Sequence, residues 1–223
     1  MRSLPSVTLF GLDGVDIDRL LLASTICKKD FDFGAVKLLT HLPSSHPDVV
    51  AVPPVLSIRA YSEFMLKKMA TFVDTEHVLI VQHDGFILNP NAWLPEFLEY
   101  DYIGAPFYTD GVLKTGNGGF CLRSKRLVDF LMNDPRIQML AEPAHAHDDN
   151  EDWLICTLYR DIIEQAGFRF APPEIAHRFS LEANEFYGNK WTDEFGFHGL
   201  RWTDISSWLL AHPEYTIDNT LSE

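Results

Sequence analysis

The chain is constrained most by a short apolar run at residues 78–81 that leads directly into Gln82, His83, Asp84 and Gly85. A run of this length with a turn signal at its end predicts a strand buried on both faces of a parallel sheet. In open α/β sheets, ligands bind just beyond the carboxyl ends of such strands. We therefore expect His83 and Asp84 to lie at a ligand site, on a turn that Gly85 allows to be tight. The alternative is a plain turn, because Asp and Gly are common turn residues.

Strands and helices are predicted to alternate along the whole chain. Apolar runs predict further strands over residues 6–12, 35–39, 102–105 and 168–171. Helical periodicity predicts helices over residues 17–26, 62–72, 93–97, 127–132 and 153–165, the last closed by Gly167. Residues 41–54 and 142–150 are predicted to be loops, and residues 175–185 irregular. The alternation favours βαβ units and one α/β domain with a mostly parallel sheet.

The charge of the chain bears on its partners. Its 223 residues include 18 Lys and Arg against 32 Asp and Glu, which gives a net charge of −14. Such a surface repels phosphate backbones and argues against nucleic acid as the main partner. The small basic cluster of Arg123, Lys125 and Arg126 is predicted to be a solvated helix start.

Cysteine usage and hydropathy bear on the compartment. The cysteines are Cys27, Cys121 and Cys156. Such a sparse and widely spaced set indicates reduced thiols and a cytoplasmic protein. No apolar run approaches the length of a membrane span, so we expect no transmembrane segment, while peripheral association with a membrane stays open.

Three glycines surround Asn117 in residues 116–119. Glycines allow the backbone to approach a ligand closely, so Asn117, Gly118 and Gly119 are candidates for contact with one. The segment is not a Walker loop, because no Gly-Lys-Ser/Thr follows, and it precedes a strand rather than the helix of a dinucleotide fingerprint. The alternative is a simple hairpin turn, which Asn-Gly favours.

Acidic residues open the helix predicted from residue 153. They are Asp148, Asp149, Glu151 and Asp152, interrupted by Asn150. The N-terminus of a helix stabilises carboxylates, so capping accounts for some of them. Capping needs one or two acids rather than four, and a carboxylate at a helix start is a well-aimed general base. A separate metal cluster of His145, His147, Asp148 and Asp149 is a weaker alternative.

A histidine lies between two glycines near the end of the chain. His198 follows Phe197 and precedes Gly199. A lone histidine is more often structural, but the flanking glycines leave this imidazole room to reach a metal or a phosphate. His198 is therefore a second candidate ligand beside Asp84.

The motifs in their order resemble a known family. They are QHDG, YDYIGAP, GNGGFCLRS, an ED-headed helix, FSLE and FGFHG, within residues 57–199. This order resembles a bacterial family of uncharacterised domains that is grouped with the GT-A glycosyltransferases. The resemblance implies a GT-A-like, Rossmann-related single α/β domain over 1–223, with helices flanking a central, mostly parallel sheet. About 1–90 would form the nucleotide-binding half, about 91–205 the acceptor and catalytic half, and 206–223 a tail.

The resemblance also implies an activity. GT-A enzymes transfer a sugar from a nucleotide-diphosphate donor to a glycan or other hydroxyl acceptor, here in bacterial surface polysaccharide assembly. It puts Asp84 and His198 on a metal ion, Mn²⁺ or Mg²⁺, that meets the donor diphosphate. Asp152, and after it Glu151, would be the general base of an inverting enzyme. The segment Asn117, Gly118 and Gly119 would line the donor sugar and the acceptor.

The remaining donor contacts follow from the same resemblance. The early turn at Gly11, Leu12 and Asp13 would bind base and ribose, with Gln82 and His83 beside the diphosphate. Arg59 is a candidate diphosphate contact by charge and position alone. Gln82 stands where the usual Asp-x-Asp motif has its first acid, which leaves metal-independent transfer open.

Two other functions remain open at this point. The same residues Asp84, His198 and Asp152 would serve a metal-dependent hydrolase of phosphoester or nucleotide bonds. A non-catalytic nucleotide-sugar-binding module is the second alternative, since Gln82 replaces an acid and a fold alone does not define a function.

Overall fold

The computed structural model describes residues 1–109 and 111–217, which contain ten strands and seven α-helices. The strands are β1 (Arg2–Leu12), β2 (Phe31–Thr40), β3 (Val49–Ala51), β4 (His77–Ile80), β5 (Tyr102–Gly104), β6 (Pro106–Thr109), β7 (Val112–Thr115), β8 (Cys121–Ser124), β9 (Ser180–Leu181) and β10 (Gly196–Phe197). The α-helices are α1 (Ile17–Lys28), α2 (Ile58–Lys67), α3 (Lys125–Asn133), α4 (Glu151–Trp153), α5 (Arg160–Gln165), α6 (Pro173–Phe179) and α7 (Ser206–Ala211). Short 3₁₀ turns cover Met69–Phe72, Pro90–Ala92, Pro95–Glu99 and Ala146–Asp149.

The main sheet has six strands in the order β3-β2-β1-β4-β8-β5. The neighbours among β1, β2, β3 and β4 are parallel, whereas β8 runs antiparallel to both β4 and β5. The predicted mostly parallel sheet is therefore a mixed sheet. The reversal has a consequence for the site, because the beginning of β8 lies at the same edge as the carboxyl ends of β1 and β4. The segment of residues 116–119 is thereby carried to that edge.

The residues around β4 are buried on both faces of the sheet, as the sequence predicts. Val78 and Ile80 lie in one hydrophobic cluster, and Leu79 and Val81 lie in the other, each with 0% of its surface exposed. Helix α1 packs against the second of these clusters, and α2 and α3 pack against the first. The sheet therefore lies between two helical layers, which places its polar ends, rather than its faces, in contact with solvent.

Two segments predicted to lack regular structure contain short elements. The predicted loop at 41–54 includes β3, whose residues Val49 and Val50 pair with Leu38 and Leu39 of β2. The predicted irregular segment at 175–185 overlaps α6. Pro173 occupies the first turn of that helix, where its missing N–H would have no helical partner in any case. Both elements are too short to show a periodic pattern.

The helix predicted over 153–165 is interrupted. It consists of α4, a π-helical turn at Leu154–Leu158 and then α5. Turns of this kind are frequent at functional sites. Gly167 adopts a φ of 88° and ends the helix, as predicted. The strand predicted over 168–171 is reduced to one bridge between Tyr102 and Phe170.

The predicted solvent exposure of Arg123 is wrong. This residue lies in β8, and its side chain is 0% exposed. The three cysteines are free and buried. Within residues 1–109 and 111–217, no helix is both long enough and apolar enough to cross a bilayer. In the predicted tail, α7 is helical, and residues 218–223 lie outside the described residues.

The layer on the α1 face of the sheet is built around Phe195. Its ring is fully buried, and its centroid lies 5.2 to 6.2 Å from five other aromatic rings. We expect Phe195→Ala to lower the free energy of unfolding by about 3–5 kcal/mol, because the cavity cannot close among stiff rings. Urea denaturation measures this change.

The matched control is Phe186→Ala, because the Phe186 side chain is 61% exposed. Its effect should stay within about 0.5 kcal/mol. Equal losses in the two variants would contradict the assignment of Phe195 to the centre of the aromatic layer.

Candidate functional site

A cleft of about 600 Å³ opens beyond the carboxyl ends of β1 and β4. The strand order reverses between these two strands, and ligands of α/β sheets bind at such switch points. The predicted site residues on the cleft wall are Leu12, Asp13, Gln82, His83, Gly118, Gly119, Glu151, Asp152 and His198. The predicted residues that lie outside the wall are Gly11, Arg59, Asp84 and Asn117.

Three donor atoms converge at one end of the cleft. Nε2 of His198 lies 3.6 Å from Oδ1 of Asp84 and 3.2 Å from Oε1 of Gln82. Among the described residues, the buried Oδ1 of Asp84 has no hydrogen-bond partner. His83 contributes a second imidazole, whose Nδ1 is 3.7 Å from the same oxygen. The strand end and the distant His198 thus meet, although they are more than a hundred residues apart in sequence.

Two glycines make room for the His198 ring. A Cβ atom on Gly119 would lie 2.0 Å from Nε2 of His198, and one on Gly85 would lie 3.0 Å from its Cδ2. Any side chain at position 119 would therefore displace the imidazole. This close approach explains why a glycine turn occurs here.

The other side of His198 faces a carboxylate. Its Nδ1 lies 3.1 Å from Oε1 of Glu182. Burial alone lowers the pKa of His198, but the charge of Asp84 and the hydrogen bond with Glu182 outweigh this effect and raise it to about 9. Sequence reasoning assigned no role to Glu182. Its signal was present in the FSLE motif, because Glu182 directly follows β9.

Asn117 organises the glycine turn. It adopts a left-handed φ of 46°, and its Oδ1 accepts hydrogen bonds from the backbone N–H groups of Gly119 and Phe120. Its Nδ2 donates to Oε2 of Glu182 at 2.7 Å. The turn leads from β7 to β8, which belong to different sheets, so it is not the simple hairpin of the alternative interpretation.

Asp152 lies on the cleft wall, as His198 does. Its Oδ2 accepts a hydrogen bond of 2.8 Å from the backbone N–H of Gly118. Burial, and then the neighbouring charge of Glu151, raise the pKa of Asp152 to about 6. A carboxylate of this kind is still ionised at neutral pH, yet it accepts a proton more readily than an ordinary aspartate does.

Glu151 has a different environment from Asp152. Its Oε1 forms a 2.7 Å ion pair with Nη2 of Arg123, and both side chains are buried. Arg123 also lies over the ring of Tyr102, with its guanidinium carbon 5.1 Å from the ring centroid. The pairing leaves Asp152 as the better placed of the two acids to react with a ligand.

The other acids of this run serve the local structure. Oδ2 of Asp148 accepts hydrogen bonds from the backbone N–H groups of Ala144 and His145, and it caps the 3₁₀ turn. Oδ1 of Asp149 forms a 2.6 Å ion pair with Arg59. Arg59 is thereby held away from the cleft wall, where it was predicted to contact a diphosphate.

The weaker alternative, a metal cluster in the 145–149 loop, gains no support. In the described ranges, no three His, Cys, Asp or Glu side chains are grouped in a way that would hold a metal. This absence includes the cleft, where Asp84 and His198 lie beside the amide oxygen of Gln82.

The turn after β1 forms the far end of the cleft. Asp13 accepts hydrogen bonds from the N–H groups of Val15 and Asp16, and its Oδ2 lies 2.7 Å from Nε of Arg19. Asp13 therefore holds the turn and positions Arg19, which lies on the wall and was not predicted from the sequence. The rim at this end is apolar, with Leu56 75% exposed.

The fold and site define an α/β protein with a ligand cleft at the switch point of a mixed sheet. The chain belongs to the family described as "Protein of unknown function (DUF5672)", which matches residues 49–198. No curated protein matches the chain. Among solved structures, "Crystal Structure of A197 from STIV" is similar at 14% identity and a TM-score of 0.37, over 69% of this chain and 75% of that one.

The buried ion pair between Arg123 and Glu151 can be tested through stability. We expect Glu151→Leu to destabilise the protein by about 3–5 kcal/mol, because it leaves the guanidinium of Arg123 buried without its partner. Chemical denaturation measures the loss. The double variant Arg123→Met/Glu151→Leu should recover most of it, since it removes both charges together. A double variant that is less stable than Glu151→Leu would contradict this account.

Proposed function

We propose that the protein is a GT-A-type glycosyltransferase that moves a sugar from a nucleoside-diphosphate donor to a hydroxyl of a glycan or similar acceptor. The proposal includes a role in bacterial surface polysaccharide assembly, because the order of the sequence motifs resembles a family grouped with the GT-A glycosyltransferases. One observation carries it: a single cleft is lined by Gln82, His198 and Asp152, whose pKa is raised, and Oδ1 of Asp84, although outside the wall, lies 3.6 Å from Nε2 of His198. Glycosyl transfer needs both a stabilised leaving diphosphate and a general base for the acceptor.

The donor set suits a divalent cation. The buried Oδ1 of Asp84 has no hydrogen-bond partner among the described residues, and Gln82 and His198 add an oxygen and a nitrogen beside it. Carboxylate, amide and imidazole donors are compatible with Mn²⁺ or Mg²⁺. Such a cation would offset the charge of the departing diphosphate. Because a ligating imidazole must be neutral, His198 would release a proton as the cation binds.

Side chains of the protein activate the acceptor hydroxyl and contact the donor phosphates. Asp152 takes the proton of the attacking hydroxyl, and the N–H of Gly118 holds the carboxylate in a fixed direction. Arg19 and His83 on the wall supply positive or polar contacts for phosphate oxygens. Glu151 does not compete for the proton, because Arg123 neutralises it.

The donor site can be tested without an acceptor. We expect UDP or GDP together with Mn²⁺ to raise the melting temperature more than the nucleotide or the metal alone. A ligand that binds only the folded state at a hundred times its Kd adds about 2.7 kcal/mol. Differential scanning fluorimetry measures the shift, and identical curves with and without the pair would remove the donor site from the proposal.

Single and double variants test whether Asp84 and His198 are responsible for the joint shift in melting temperature. Asp84→Asn and His198→Ala should each abolish the joint shift, and the double variant should lose little more, because both side chains would contact one cation. The matched control is Asp161→Asn, at an exposed acid on α5, which should keep the full shift. Full additivity would show that the two residues do not share a site.

The general base is tested by Asp152→Asn, which keeps the shape of the side chain but cannot take a proton. We expect transfer to fall by about 10²–10⁴-fold with unchanged donor binding. The melting temperature should stay close to that of the unmodified protein, because removal of a charge that burial disfavours offsets the loss of one hydrogen bond from the N–H of Gly118 or Trp153. For the unmodified protein, transfer should rise with pH through about 6 and then level off.

A radiolabelled donor provides the measurement for both the variant and the pH profile. If Asp152→Asn keeps full transfer, then either another residue is the general base or the enzyme retains the anomeric configuration. Release of a sugar phosphate and a nucleoside monophosphate, without transfer to any acceptor, would favour the hydrolase instead.

A further inference from the structure

Glu182 contacts two parts of the site. One of its oxygens faces Nδ1 of His198, and the other faces Asn117 in the glycine turn. Strands β9 and β10 are parallel neighbours, with Leu181 paired to Phe197, so Glu182 and His198 emerge side by side. The backbone N–H of His198 also donates to the carbonyl of Leu181 at 2.9 Å. The fold therefore brings this carboxylate to the imidazole through backbone pairing, and not through a chance side-chain contact.

The contact of Glu182 with the ring has a chemical consequence. A neutral imidazole carries one N–H, and a carboxylate next to Nδ1 favours the proton there. Nδ2 of Asn117 lies 3.0 Å from the same nitrogen, but its shorter hydrogen bond of 2.7 Å is the one that it donates to Glu182. When a cation takes the place of the Nε2 proton, the lone pair of Nε2 is directed to the position that faces the oxygens of Asp84 and Gln82. Carboxylates commonly orient metal-ligating histidines in this way.

The second oxygen of Glu182 serves the glycine turn. Oε2 accepts a 2.7 Å hydrogen bond from Nδ2 of Asn117. The turn that Asn117 forms presents the N–H of Gly118 to Asp152. One carboxylate thus contacts both the imidazole at the cation end and the turn that holds the proposed base.

We propose that Glu182 is a positioning residue that fixes His198 for a divalent cation and joins the cation site to the glycine turn. The proposal rests on the proposed function, because it assigns Glu182 a role toward the cation of that site. Glu182 is not on the cleft wall, so it acts through His198 and Asn117 and not by touching the donor or the acceptor.

The test measures Mn²⁺ binding rather than transfer. Free Mn²⁺ is followed by electron paramagnetic resonance in the presence of UDP or GDP, for the unmodified chain, Glu182→Gln and Glu182→Ala. We expect Glu182→Ala to weaken Mn²⁺ binding by about 10–100-fold. Glu182→Gln should weaken it less, because its amide oxygen still accepts a hydrogen bond from Nδ1. The control Glu185→Gln changes an exposed acid three residues further on and should leave binding unchanged.

A spectroscopic measurement separates positioning from a merely structural role. In protein labelled with ¹⁵N-histidine and loaded with Mg²⁺, we expect the Nδ1 of His198 to carry the proton. Glu182→Ala should show a mixture of the two tautomers, and Glu182→Gln should restore part of the original signal. A general loss of structure would broaden all histidine signals instead of changing one tautomer.

The outcomes distinguish this proposal from the proposed function. If the unmodified chain binds no Mn²⁺ with either nucleotide, the cation site fails and this proposal fails with it. If the unmodified chain and both Glu182 variants bind Mn²⁺ equally, only the role of Glu182 is overturned. If Glu182→Ala does not fold, the Mn²⁺ affinity and tautomer of Glu182→Gln decide the question.

Discussion

The antiparallel pairing of β8 with β4 is the constraint on which the site depends. Its ladder runs from Ile80 opposite Cys121 to His77 opposite Ser124. Because β8 is reversed, its beginning rather than its end lies at the edge where β1 and β4 finish. The glycine turn therefore meets the residues that follow β4. A parallel strand in this position would carry that turn to the opposite edge of the sheet.

The chain is strongly acidic, yet its site keeps each carboxylate in a distinct environment. Arg123 neutralises Glu151 inside the core, and Arg19 does the same for Asp13 at the far end of the cleft. Among the described residues, Asp152 accepts hydrogen bonds from the backbone N–H groups of Gly118 and Trp153, and burial raises its pKa. Sites of acid–base catalysis commonly hold two acids whose surroundings favour different protonation states.

The sequence was most informative where a local pattern has one physical meaning. The apolar residues before Gln82 could only be a strand buried on both faces, and Gly167 could end a helix with a positive φ. Asp152 and His198, both named from the sequence, line the same cleft. Arg123 was misjudged because a charged residue next to a helix start is usually solvated, and only the partner Glu151, 28 positions away, makes its burial tolerable.

The sequence by itself located the carboxyl ends of β1 and β4, the glycine turn and the chemical types of the site residues, since these follow from burial patterns and backbone freedom. Only the tertiary structure decided which groups meet. The direction of β8, the contact of Glu182 with His198 and the capture of Arg59 by Asp149 all join residues that are far apart along the chain. Such pairings depend on strand register and on competition among many charges in three dimensions, and no local pattern contains that information.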